Sequence, residues 1–142
     1  MMEKNTILLY SDGAAIPNPG KMGIGGVLVY NGKTKEYSKV LGQGTNNIAE
    51  LTAISYGLTL ISDKSIPVIV ISDSQYALNC LSGKWNPKKN IAVINDIKRL
   101  IAEFKSIGFK WVRGHAGDKY NERADELANQ RLPDAPIWWN NG

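Results

Sequence analysis

Cysteine and histidine occur once each in the 142 residues, as Cys80 and His115, and phenylalanine only twice. One cysteine excludes an intramolecular disulfide and supports no cysteine-based metal cage. Its setting, YALNCLSG, suits a small buried side chain. Long apolar runs are missing too. None approaches the ~20 residues that cross a bilayer, and Ile7 to Tyr10 is too short for the apolar core of a secretory signal. A membrane partner is therefore not expected, and the cytoplasm is the default location. Repeats, low-complexity linkers and internal boundaries are also absent. The expected organisation is one domain over 1–132, long enough to bury a core, followed by a tail over 133–142, with a monomer the expected state.

Acids are in deficit, 13 against 17 Lys and Arg, for a net charge of +4. The excess is concentrated. Lys84, Lys88, Lys89, Lys98, Arg99, Lys105 and Lys110 are opposed in that stretch only by Asp96 and Glu103. Such a patch attracts polyanions through counterion release, although a solvated helix face has the same composition.

What is present reads as alternating elements. Thr6 to Ser11 is an apolar strand stopped by the glycine-rich DGAAIPNPGKMGIGG. GGVLVYNGKTKEYSKVLG reads as a hairpin, with Asn31-Gly32 as its two-residue turn. From Asn47 the period becomes helical, with Leu51, Ile54, Leu58 and Ile61 on one face. A strand from Val68 to Ile71, a short helix from Ser74, and a long helix striped by Ile94, Ile97, Ile101 and Phe104 follow. FKWVRGH is the expected last strand and NERADELANQRL the last helix. This order predicts an α/β fold with a mixed sheet.

Two of the strands run straight into Ser-Asp, at Asp12 and at Asp73. Apolar strands joined through a helix lie parallel, so their carboxyl ends share one edge of the sheet, where α/β proteins bind ligands. Glu50 stands one turn before Ile54, at the margin of the apolar stripe. It fits either a third acid facing the sheet or the reciprocal acceptor of a capping box headed by Asn47. Asp125 adjoins the face formed by Ala124, Leu127 and Ala128, on a helix that Asn121 can cap, while Glu122 and Glu126 turn to solvent. A first-turn acid is also favourable in its own right. Four gathered carboxylates repel unless hard divalent cations, Mg²⁺ or Mn²⁺, lie among them. Two such ions ~4 Å apart activate water and stabilise the leaving oxygen of a phosphodiester. A lone histidine is usually structural; His115, on a glycine-flanked loop beside these acids, is placed for proton transfer.

YSDGAAIPNPGKMGIGG, GTNNIAELTAI, ISDSQY and VRGHAGDKYNERADELA together resemble type 1 ribonuclease H, in order from about Leu8 to Asn129. The resemblance implies a five-stranded mixed sheet with helices on both faces. It also implies endonucleolytic hydrolysis of the RNA strand of RNA–DNA hybrids, leaving 5′-phosphate and 3′-hydroxyl ends. Asp12, Glu50, Asp73 and Asp125 match the family's metal-binding acids, and His115 matches its mobile histidine. Asn18, Asn46 and Gln75 match residues that contact the hybrid, largely at the minor groove, where ribose hydroxyls distinguish RNA. Thr45 and Asn90 match a pocket that grips a DNA phosphate. Many bacterial members carry a basic helix and loop between the short and long helices. LSGKWNPKKNIAV leaves almost no room for it, and Trp85, Lys88 and Lys89 stand as a reduced version. The tail LPDAPIWWNNG matches nothing in the pattern; Trp138 and Trp139 are expected to pack onto the body.

Other classes fit less well. GQGTNN opens a helix as a dinucleotide-binding turn would, but Asn47 replaces its third glycine and the preceding strand belongs to a hairpin. An integrase or transposase shares clustered acids without the TNN…AE block and the histidine loop. A hybrid-binding module without catalysis explains the basic patch alone, and has no need of four converging carboxylates.

Overall fold

Side-chain alternation divides the strands between two apolar faces. Ile7, Leu9, Val68 and Val70 join one buried cluster, while Tyr10, Val27 and Ile71 join another on the opposite side. In the computed structural model, which describes residues 5–114 and 116–130, five strands make one sheet. They are β1 (Ile7–Ile16), β2 (Gly20–Tyr30), β3 (Lys33–Gly44), β4 (Val68–Ser72) and β5 (Ile107–Trp111), in the order β3-β2-β1-β4-β5. The first three run antiparallel, and β4 and β5 add parallel, so the sheet is mixed as expected. Asn31 and Gly32 close the β2–β3 hairpin with φ of 51° and 79°, the positive values a type I′ turn requires.

Helices α1 (Asn46–Thr59), α2 (Gln75–Leu81) and α3 (Ile91–Ile101) cover one face, contributing Leu51, Ile54, Leu58, Ala77, Leu78, Ile94 and Ile97 to the larger cluster. Helix α4 (Lys119–Ala128) covers the other face through Ala124 and Leu127. It is anchored to β3 by Arg123, whose Nε and Nη2 donate to the two oxygens of buried Glu36 at 2.8 and 3.0 Å.

Several boundaries differ from the sequence reading. Strand β1 does not stop at Ser11; β2 pairs with it as far as Ile16, supplying partners for a glycine-alanine stretch with no strand pattern of its own. Phe104 lies on the predicted stripe but beyond α3, in a tightened turn where its N–H donates to Ile101 O at 3.0 Å. Strand β5 begins at Ile107 and is over by Trp111, short of the expected Arg113-Gly114.

Two caps also moved. Thr45 Oγ1, not Asn47, accepts the cap bond of α1 from Ile48 N at 3.2 Å. Asp118, not Asn121, caps α4, accepting from Tyr120 N and Asn121 N, and Asn121 is buried inside the helix. With Thr45 as cap, Glu50 stands a full turn inside α1, so the capping-box reading of that residue fails.

Candidate active site

Pairing between β1 and β4 runs from Ile7↔Val68 to Tyr10↔Ile71 and then ends. Asp12 and Asp73 each lie two residues past that last pair, one on each side of the opening. The sequence expectation that they converge is met, although Asp12 sits within a continuing strand rather than at its end.

Two glycines bring the helices to the opening. A Cβ on Gly13 would lie 2.4 Å from Ala49 C and O and 2.8 Å from Glu50 N, so only glycine lets α1 approach β1 this closely beside Asp12. Gly25, the β2 partner of Asp12, does the same for α4. A Cβ there would lie 2.4 Å from Ala128 N and 2.7 Å from Ala124 O. Glu50 thus enters from α1 and Asp125 from α4. The sequence reading missed these two glycines as site-builders; their place in the glycine-rich stretch DGAAIPNPGKMGIGG was the available signal.

Asp12, Glu50 and Asp73 each bring a carboxylate oxygen within 4.8 Å of the others. Asp125 is outside that trio but interacts with Asp12. Burial, a hydrogen bond with Asp125 and the charges of Asp73 and Asp125 push the Asp12 carboxyl up to about 8. Burial, and then the charges of Asp12 and Asp73, hold Glu50 well above its ordinary range. Glu50 Oε1 is buried without a hydrogen-bond partner. A buried acceptor left in that state is costly, and a cation is the partner that would satisfy it. Among the described residues the clustered donors are carboxylate oxygens, which suits a hard divalent ion. The residues present fit such a metal.

Two concavities hold most of the other candidate residues. One, of about 410 Å³, is lined by Asn18, Pro19, Thr45, Asn46, Asn47, Lys89 and Asn90, five of which the sequence singled out. Its wall is tied together by amides: Asn46 Oδ1 accepts from Ala15 N at 2.8 Å, and Asn18 Oδ1 accepts from Asn46 N at 3.0 Å. Asn90 has φ of 60° and spends its side chain on Tyr76 Oη, at 3.0 Å, rather than on capping α3. The other concavity, of about 310 Å³, contains Gln75, Lys84, Trp85 and Trp111. Lys88 is exposed on the loop joining α2 to α3, whose residues reach both concavities. His115, Trp138 and Trp139 lie outside the described residues.

Known proteins resemble this chain over most of its length. The family model described as RNase H matches residues 4–132. Ribonuclease H of Desulforamulus reducens is 39% identical over 146 aligned positions, covering 92% of this chain and 91% of that protein. Ribonuclease HI of Pseudomonas aeruginosa PAO1 is 33% identical over 96% of this chain and 99% of its own. Among solved structures, RNase H1 from the halophilic archaeon Halobacterium salinarum superposes with a TM-score of 0.80 at 31% identity, covering 92% of this chain and 99% of that one. LC11-RNase H1, solved in complex with an RNA/DNA hybrid, gives 0.74 at 30% identity over 87% and 94% of the two chains. The chain belongs to the RNase H family.

Proposed function

We propose that the protein is a ribonuclease H that hydrolyses the RNA strand of RNA–DNA hybrids, with Asp12, Glu50, Asp73 and Asp125 holding Mg²⁺ or Mn²⁺. The observation that carries this reading is the trio of carboxylates within 4.8 Å, one with a buried unpartnered oxygen, in a chain of this family. Divalent ions bound there would supply a water nucleophile at neutral pH and neutralise charge on the leaving oxygen. The chain's own part is positioning. Asp12 is held by Gly13 N, which donates to its Oδ1 at 3.0 Å, and Asp73 is held at the turn into α2.

Asn18, Asn46 and Gln75 would read the hybrid from either side of the acids. Thr45, Asn90 and Lys89 would take a backbone phosphate in the 410 Å³ concavity. Trp85, Lys88 and Lys89 form a reduced basic handle on the loop after α2. His115 is assigned proton transfer or product release, an assignment that rests on the sequence match alone.

The experiment is a labelled RNA–DNA hybrid incubated beside matched single-stranded RNA, double-stranded RNA and DNA, with Mg²⁺ and with chelator. Cleavage confined to the RNA of the hybrid, dependent on metal and leaving 5′-phosphate ends, is expected. Nicking of duplex DNA, or hybrid binding without cleavage at any Mg²⁺ or Mn²⁺ concentration, would reject it.

A further inference from the structure

Trp111 ends β5 as an exposed residue, 48% open to solvent, and forms part of the 310 Å³ concavity beside Lys84 and Trp85. A residue so open to water could leave its N–H to solvent. Instead the indole Nε1 donates to the main-chain oxygen of Asp73 at 3.1 Å. The β4–β5 ladder pairs Ser72 with Trp111, and Val112 N donates to Ser72 O at 3.0 Å. Asp73 comes next, where the chain turns toward α2, and the indole carries the tie from β5 one residue past the end of β4. Beyond it, Gly114 passes so close to the Asp73 carboxylate that a Cβ there would lie 2.7 Å from Oδ2.

We infer that Trp111 is a positioning residue: its indole N–H fixes the main chain of Asp73 so that the carboxylate keeps its place in the divalent-cation site. The inference rests on the proposed reading of the acids as metal ligands. Groups that orient a ligand without touching the ion commonly change metal affinity or activity 10–100-fold when removed. The hydrogen bond to Asp73 O is the route by which Trp111 would act on the site.

The test is Trp111→Phe, which keeps an aromatic ring and deletes the donor. Mg²⁺ is titrated in two ways: as the concentration giving half-maximal hybrid cleavage, and as the rise in Tm it produces without nucleic acid. About a tenfold higher half-maximal Mg²⁺ is expected, with a smaller Tm rise at equal Mg²⁺ and with KM for the hybrid unchanged within about twofold. Trp111→Tyr, a second ring without the indole donor, should reproduce the pattern if phenylalanine packs poorly. Coincident Mg²⁺ titrations for variant and wild type would overturn the inference. So would a Tm lowered equally with and without Mg²⁺, the mark of a structural contact, or a raised KM at unchanged Mg²⁺ dependence, the mark of a direct nucleic-acid contact. The Tm titration needs no cleavage, so failure of the hybrid reading and failure of this one are distinguishable.

Discussion

Asp12 and Glu50 hold protons in the metal-free folded protein at pH values where the unfolded chain has lost them. For Asp12 the interval runs from the ordinary 3.8 to about 8. Across it the folded state binds more protons than the unfolded one, so the contribution of this carboxyl to stability is present at low pH and is lost as pH rises. A divalent ion bound there would replace those protons and remove the loss. Asp12→Asn should therefore be inactive. In chelator, its Tm relative to wild type should climb between about pH 5 and pH 8, as the wild type loses stability that the amide does not. A Tm difference independent of pH in differential scanning would contradict this. Glu50 makes a companion case. Thr45→Ala should lower stability by about 1 kcal/mol through the lost cap, whereas Glu50→Gln, which caps nothing, should leave the metal-free protein as stable as wild type or more so while abolishing cleavage. Thermal melts and hybrid assays on the two variants separate the roles that the sequence left open.

Helix α4 brings Asp125 to the site only as closely as Gly25 allows. Gly25→Ala forces Ala128 away from β2 and should cost about 1–3 kcal/mol, with activity falling more than tenfold. Gly42→Ala, where a Cβ meets nothing within 4 Å, is the control and should change stability by less than about 0.5 kcal/mol. Equal Tm and turnover for both variants would show that α4 tolerates the displacement. The same elements show what could be read in advance. Strong periodic segments such as Val68 to Ile71 and Leu51 to Leu58 were legible because burial writes their pattern. The continuation of β1 through Gly13 to Ile16 was not, because its hydrogen bonds come from β2, a partner that one-dimensional pattern does not reveal. Caps went astray for a related reason. Around α1, Thr45, Asn46 and Asn47 are all competent, and backbone geometry decides among them; the Asp118–Asn121 pair in α4 posed the same choice. The acids were legible as candidates because carboxylates at an apolar margin are chemically anomalous wherever they occur, while Gly25 and Trp111, ordinary in composition, acquire their proposed roles only through proximity.

Charge is distributed less simply than its total suggests. Within the basic stretch Arg99 pairs with Asp96 on α3, while Glu103 pairs at 3.4 Å with Lys64, outside the stretch. These exposed pairs add little stability. Of the stretch's lysines, Lys84, Lys88 and Lys89 are the ones on the loop whose residues reach the two concavities, a small electrostatic handle. Hybrid binding should accordingly be weak and salt-sensitive. Replacing Lys88 and Lys89 together with alanine should raise KM and reduce the slope of log affinity against log salt by about two, with kcat preserved. Steady-state kinetics over a salt series would show this; a collapse of kcat at constant KM would instead place the lysines on the scissile phosphate.

The two-residue turn at Asn31-Gly32 has a practical consequence. Gly25 lies opposite Asp12, and six residues of extended strand carry the chain roughly 20 Å from there to the turn. Asn31 and Gly32 are both exposed, and a Cβ on Gly32 would meet nothing within 4 Å. A flexible insert spliced between them would have its ends held together by the hairpin, and each doubling of its length would cost only about 0.6 kcal/mol in closure entropy. Such a graft, a fluorescent reporter or a surface-coupling tag, should leave kcat and KM within about twofold of the parent. Loss of cleavage in a graft that still melts cooperatively would mean that the far end of the hairpin also meets the duplex. Retained cleavage would make this turn the natural point at which to tether the enzyme to a bead or a second protein.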